Sequence, residues 1–416
     1  MNKKIIAVAV AGMFVAPAAA LAQSSVTISG LLKGGYENLR LSGATAATAF
    51  RGNHSQNGVV DDSSRIVFNV VEDLGGGLQA IGQLDMRVTP DNAGGVNSAA
   101  GLVAGAYNPG NLASGNSHFG LRSKDWGRIF FGRQDLHYFN TESNISDKGS
   151  LRASSVALLS YIGGAAIAGA TRTQNVVHYT SPNWGGFTII GAYSSNPGGQ
   201  GTDIGGATAA GCTVGGVAAA PANCFRRGSA WNLNPNFAAA NWQVGYSYWT
   251  SKPDAAMSTP AQVGGGSVIA AVAPVDQRSD RLYGSYVFPF GLKIGAAWDK
   301  SRLKSTVGLG DTNRRSAWSL PASYNWGNHT VHLNYTAAGD DKVVAGDQKA
   351  TMWAVSYSYD LSKRTSAAFT YAQIRNHSGA TYNFFTSTSL GLGGSAGAIL
   401  AGEDPKMFGL TLRHAF

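Results

Sequence analysis

The last ten residues, Met407–Phe416 (MFGLTLRHAF), set the terms for the whole chain. Phe408, Leu410, Leu412 and Phe416 share one parity with His414, while Gly409, Thr411, Arg413 and Ala415 share the other. A period of two is a strand with unlike faces. One face is apolar, the other carries a charge, and the sequence stops on an aromatic. Such a strand presents a flat, unprotected edge that must pair with something. Pairing with the first strand closes the sheet into a barrel, one of only two backbone solutions in lipid.

The same alternation recurs along the chain. Val26–Glu37 predicts a first strand, with Val26, Ile28, Gly30, Leu32 and Tyr36 opposite Thr27, Ser29, Lys33 and Glu37. A small-residue stretch to Ser63 reads as a loop. Arg65–Leu74 and Leu78–Val88 flank Gly75-Gly76-Gly77 and read as a hairpin, since glycine takes positive φ without steric cost. Further pairs are His118–Ser123 with Arg128–Arg133, Asn175–Ser181 with Phe187–Ser194, and Ser229–Asn234 with Asn241–Thr250. Asp280–Phe288 with Leu292–Lys300, Ala317–Asn325 with His329–Thr336, and Ala350–Tyr359 with Arg364–Ile374 complete the series before the final strand. The expected fold is all-β, a 16-stranded antiparallel transmembrane β-barrel. Short turns alternating with long connections imply short periplasmic turns and long extracellular loops. Trp242, Tyr246 and Tyr248, like Trp353, Tyr357 and Tyr359, share a face and would form an aromatic girdle. A soluble β-sandwich would need a second sheet to cover that face, and no linker or composition break divides the chain.

Composition agrees. Lys3 and Lys4 precede an apolar run ending in Ala20-Leu21-Ala22, which reads as a cleaved signal peptide over residues 1–22. Residues 23–416 then form a single domain, without a later apolar stretch long enough for a spanning helix. The 55 glycines, the low share of charged residues and the scattered aromatics suit a barrel that hydropathy misses. Removing Lys3 and Lys4 from the formal charge of +9 leaves +7. No Lys/Arg cluster exceeds two residues, which argues against nucleic acid as a partner. Cys212 and Cys224 share one Gly/Ala-rich segment, where export would favour a small loop disulfide; a metal site would lack further ligands.

Sixteen strands enclose an aqueous channel rather than a packed core, so something must narrow it. The connection Gln134–Thr171 carries Asp135, Glu142, Asp147, Lys148 and Arg152 and is expected to fold inward as a constriction loop. Lumen-parity positions on the wall offer Lys33, Arg65, Arg87, Arg122 and Arg172. Basic wall residues facing Glu142 and Asp147 across a narrow opening would create a transverse field that selects solutes.

Several stretches, in order along nearly the whole chain, resemble the trimeric porins of β-proteobacterial Gram-negative type, related to the neisserial porins. They are Ser24-Ser25-Val26-Thr27, Ser64-Arg65, Glu72-Asp73-Leu74-Gly75-Gly76-Gly77-Leu78, Phe131-Gly132-Arg133-Gln134, Tyr179–Phe187, Leu361-Ser362-Lys363-Arg364-Thr365 and Arg413-His414-Ala415-Phe416. The resemblance implies a homotrimer in the outer membrane, among outer-membrane lipid and lipopolysaccharide, with the third long loop inside each pore. It implies general diffusion of small hydrophilic solutes and inorganic ions, with several members preferring anions. The +7 charge with Lys33, Arg65, Arg87 and Arg172 at lumen parity makes an anion-preferring pore the expectation here, and a substrate-specific porin with a solute-binding track is the alternative. Arg65 and Arg172 correspond to constriction arginines of that family. A third basic position falls near Gly115-Asn116 and is missing, with Arg122 as a candidate substitute. Lys33 stands where an acid or neutral residue is more common and could offset the loss.

An enzyme is not expected. The eight histidines are scattered, and His329 and His332 have opposite parity on one strand, so they cannot share a metal. Neither a phosphate-cradling GxxxxGK[ST] nor a zinc-binding HExxH sequence occurs. No cofactor is expected.

Overall fold

The computed structural model describes residues 24–43, 54–88, 90, 113–137, 147–162, 165–166, 172–195, 213–214, 217–218, 228–252, 275–305, 310–385 and 399–416. The anticipated signal peptide over residues 1–22, Glu142, Cys212 and Cys224 lie outside them.

Alternation of apolar and polar residues produces strands almost throughout. β1 spans Ser25–Ser42, β2 His54–Asp61 and β3 Arg65–Gly75. β4 (Leu78–Arg87), β5 (Ser117–Ser123) and β6 (Gly127–Gln134) follow. The next connection holds a 3-10 turn at Leu151–Ala153, one short helix α1 at Val156–Leu159, and the pair β7 (Tyr161–Ile162) and β8 (Ala165–Ala166). β9 (Thr173–Thr180) and β10 (Phe187–Ser194) precede a second small pair, β11 (Thr213–Val214) and β12 (Val217–Ala218). β13 (Ser229–Ala238), β14 (Trp242–Lys252), β15 (Val275–Val287) and β16 (Leu292–Ser305) come next. β17 (Asp311–Trp326), β18 (His329–Ala338), β19 (Ala350–Asp360), β20 (Thr365–Asn376) and β21 (Asp404–Ala415) complete the wall.

Apart from the two small pairs, every strand joins one sheet, and β1 pairs antiparallel with β21 from Leu31↔Ala415 to Ser42↔Asp404. The sheet therefore closes. β2 and β3 lie end to end along the other side of β1, so the seventeen segments make a 16-stranded barrel. The final Phe416 and Gly30 exchange backbone hydrogen bonds of 3.0 and 3.1 Å. A side chain at Gly30 would have its Cβ 2.7 Å from the Arg65 carbonyl and inside the Phe416 ring, so only glycine fits the seam.

β2 departs from the sequence expectation of a loop to Ser63. Its polar, small residues carry no clear alternation, yet the extended β1 supplies a partner from Gly34 to Leu41. The break between β2 and β3 has a local cause. Asp61 accepts from the N–H groups of Ser63 and Ser64, and Ser63 takes a left-handed φ of 83°. Ser64 Oγ then stands in for the backbone ladder, accepting from Lys33 N at 3.0 Å and donating to Lys33 O at 3.1 Å.

Polarity is inverted relative to a soluble protein. Outward positions carry Leu282, Leu320, Leu410 and Leu412, about half exposed, with Trp242, Trp353, Tyr357 and Tyr359 among them as expected. Inward positions carry buried Ser247, Ser279, Ser319, Thr336, Ser356 and Thr370. The buried apolar cluster sits inside the barrel, where Val156–Leu159 of α1 pack with Ala317, Ala338, Ala350 and Met352 of the wall.

Candidate pore constriction

The loop between β6 and β9 folds inward, and its described residues are fixed to opposite walls. On one side Arg281 and Arg315, both fully buried, straddle Asp299 at 2.9 and 3.1 Å. Their remaining donors reach loop carbonyls: Arg281 bonds Leu159 O at 3.0 Å and His137 O at 3.2 Å, and Arg315 bonds Leu158 O at 2.7 Å and Tyr161 O at 3.0 Å. Leu158 and Leu159 end α1, so these guanidinium groups satisfy carbonyls that a helix C-terminus leaves unpaired. His137 is held between Ser247 Oγ at 2.9 Å and Ser279 Oγ at 2.8 Å. Its burial, with Arg281 alongside, pushes the imidazole of this loop residue down to about 4.

On the other side Glu37 of β1 receives Arg152 Nε at 2.5 Å and Ser150 Oγ at 2.6 Å. Asp62, in the break between β2 and β3, accepts from Leu151 N at 3.0 Å, and Thr370 accepts from Ser150 N at 3.1 Å. Lys148 pairs with Asp360 at 2.8 Å.

Against this loop stands a basic wall. Arg65 lies directly across from Arg87 in the β3–β4 register, and Arg413 lies across from Lys33. Arg65 is in electrostatic range of Arg87, Arg413, Asp85 and Asp135. Arg133 is likewise in range of Arg172, Asp135 and Arg87. Arg172, at the head of β9, holds a left-handed φ of 45°. A non-glycine residue keeps that conformation only when its surroundings impose it. Here Arg172 N donates to Asp135 at 2.8 Å and its carbonyl accepts from Arg133 Nε at 3.1 Å. Asp147 on the loop lies 3.9 Å from Arg413, so one loop acid reaches the Arg413 end of the cluster.

Of the residues singled out from sequence, Arg65, Arg87 and Arg172 come together through Asp135 and Arg133, while Asp147 contacts Arg413. Lys33 is placed differently, with its ammonium buried 2.8 Å from Asp62 and its charge matched there. Arg122 lies apart. Its guanidinium bonds Gln79 Oε1 at the short-turn end, eight residues down β4 from Arg87, or about 26 Å along the strand. Sequence reasoning placed Asp135 on the inward connection but did not select Arg133, Arg413 or Asp85. Inward parity flags Arg413 and Asp85, but only the fold brings both within electrostatic range of Arg65.

Residues 7–379 match the Gram-negative porin family. The chain belongs to that family. The porin is 28% identical over 384 residues to an outer membrane porin protein of Bordetella pertussis, covering 88% of this chain and 92% of the relative. It is 27% identical over 424 residues, the full length of both chains, to outer membrane porin protein 32 of Delftia acidovorans. Among solved structures, an anion-selective porin from Comamonas acidovorans superposes with a TM-score of 0.66 at 21% identity, covering 95% of this chain and 100% of that one. This likeness shows the same fold. The barrel of the porin thus lies in the outer membrane, with the long-loop end outside.

The loop anchors generate two predictions. Asp299→Ala leaves Arg281 and Arg315 buried without counter-charge, a change that costs about 3–5 kcal/mol. The porin should melt earlier and show a larger, noisier unitary conductance; unchanged conductance would mean that these arginines do not hold the loop. His137 has an ordinary pKa near 6.5 when unfolded and about 4 in place. Between those values the unfolded chain binds the extra proton, so the His137 contribution is complete above pH 6.5 and declines as pH falls toward 4. His137→Asn should flatten the acid dependence of thermal stability in that window, and identical profiles for both proteins would refute it.

Proposed function

We propose that the barrel is a general diffusion pore for small hydrophilic solutes and inorganic ions, and that it prefers anions. The observation that carries this reading is that, among the described residues, Arg65, Arg87, Arg133, Arg172 and Arg413 gather around three carboxylates, Asp85, Asp135 and Asp147, the last 3.9 Å from Arg413. Low-dielectric walls focus the field of such a cluster, which raises the local concentration of anions and aligns dipolar solutes. The anion-selective porin from Comamonas acidovorans, similar in fold, supports the same direction. Passage is passive, as befits a family of channels, and the solute leaves chemically unchanged.

Arg65→Gln combined with Arg172→Gln should lower the anion-to-cation permeability ratio by roughly twofold or more in dilute salt. The difference should fade as salt rises, because the screening length is about 8 Å at physiological ionic strength and about 3 Å at 1 M. Reversal potentials across a planar bilayer under a salt gradient measure this directly. Cation preference of the unaltered protein in dilute salt would overturn the reading.

We also propose that three copies associate through the low side of the barrel. β5, β6, β9 and β10 have only 7 or 8 residues, against 13–16 in β15 to β17. Eight residues at about 3.3 Å each, tilted by about 45°, rise only about 19 Å, short of an apolar band of about 25 Å. Phe119, Val26 and Ile28, on β5 and the start of β1, are 68%, 66% and 59% exposed, so the wall there offers apolar surface that a neighbouring copy can cover. A solved outer membrane protein of Vibrio cholerae in trimer form has the same fold. The native mass in mild detergent should equal three chains; a one-chain mass would reject the association.

A further inference from the structure

On the outer surface, at the long-loop end of β15, β16 and β17, the sheet register sets like charges side by side. Arg278 is directly across from Arg302, and Arg302 is directly across from Arg314. All three share the outward parity and are exposed. Like charges at directly opposed positions destabilise a sheet, so such a row calls for an anion. Among the described residues, the counter-charge is incomplete. Asp280 bonds Arg278 at 3.1 Å and also takes the Tyr246 hydroxyl at 2.6 Å, and Asp311 lies 3.8 Å from Arg314. Asp276 stands across from Lys304. Among the described residues, the five cations Arg278, Lys300, Arg302, Lys304 and Arg314 therefore have three carboxylates, and neither Lys300 nor Arg302 has an ion-pair partner. Arg278, Asp280, Lys300, Arg302 and Arg314 line a cavity of about 250 Å³.

The depth of this row identifies its occupant. One outward row below it, Asp280 faces Lys300, and Lys300 faces Ser316. The row below that is Leu282, Trp298 and Trp318, all facing outward. Tryptophan concentrates where hydrocarbon meets headgroups. The arginine row stands four residues further along each strand, or about 13 Å before tilt, which is headgroup depth on the outer side. A free anion would need no apolar row beneath its site, whereas a phosphorylated lipid needs both. Guanidinium groups take phosphate oxygens in bidentate fashion, and the neighbouring ammonium adds a point charge.

We propose that this patch binds the phosphorylated headgroup of an outer-leaflet lipid. The phosphate sits among Arg278, Lys300, Arg302 and Arg314, and the acyl chains run down the wall over Leu282, Trp298 and Trp318. The site rests on the outer-membrane placement of the barrel and is independent of the selectivity of the pore.

The test is native mass spectrometry of the detergent-solubilised protein titrated with lipid A, with lipid A stripped of its phosphates, and with inorganic phosphate. Intact lipid A should be retained, with affinity about tenfold or more above the stripped form. Arg302→Gln combined with Arg314→Gln should bring the two forms level, while Arg302→Lys with Arg314→Lys keeps part of the preference. Millimolar inorganic phosphate should leave the lipid in place. Equal retention of intact and stripped lipid A by the unaltered protein would overturn the proposal without reference to any variant. Ready displacement by inorganic phosphate would overturn the lipid assignment. Unitary conductance of the glutamine variant, read on the same samples, should match the unaltered protein, since the patch lies outside the lumen. A failure of anion preference would count against the pore reading and leave the patch standing.

Discussion

In hydrocarbon, a backbone N–H or C=O without a partner costs several kcal/mol, and no water is present to supply one. The whole architecture follows from meeting that demand along every strand. β1 does most of this work. It gives one side to β21 and the other to β2 and β3, so the first and last segments of the wall become neighbours. The C-terminal Phe416 finishes the ladder at Gly30, where the absence of a side chain lets the ring and the Arg65 carbonyl approach.

Closure dictates where polarity can go. Outward side chains meet lipid and inward ones meet the lumen, so serines and threonines occupy the positions that a soluble sheet would fill with valine and leucine. That polar interior can hold buried charge. Asp299 sits between two arginines and beside hydroxyls, and the donors left over grip the backbone of the inward loop. Charges inside the barrel thus divide into two kinds. Glu37 with Arg152, Lys33 with Asp62, and Asp299 with Arg281 and Arg315 match one another and hold structure. Among the described residues, the arginines around Asp85, Asp135 and Asp147 outnumber those carboxylates.

Most of the barrel is legible in the sequence because alternation and turn residues are local properties. The eight-residue segment His54–Asp61 escaped, since it owes its strand to the pairing offered by β1 rather than to any pattern of its own. The lumen charges were legible by parity but not by role. Lys33 and Arg65 look alike in a period-two reading, yet one is neutralised by Asp62 from a break in the next strand. Arg122 has the right parity and the wrong height, which depends on strand stagger. Arg281 and Arg315 resemble further lumen cations until the loop is placed against them. Charge pairing across sequence separations above one hundred residues has no local signature.

The holding points of the inward loop are scattered from Glu37 to Thr370, with Asp62, Arg281 and Arg315 between them. They exist together only when both ends of the polypeptide have met. A sheet still short of its final strands would be an open trough with a loosely tethered segment, offering no selectivity and an unsealed rim. Narrowing of the channel and completion of the cylinder are therefore a single step in assembly, and an incomplete wall has no way to produce a working filter.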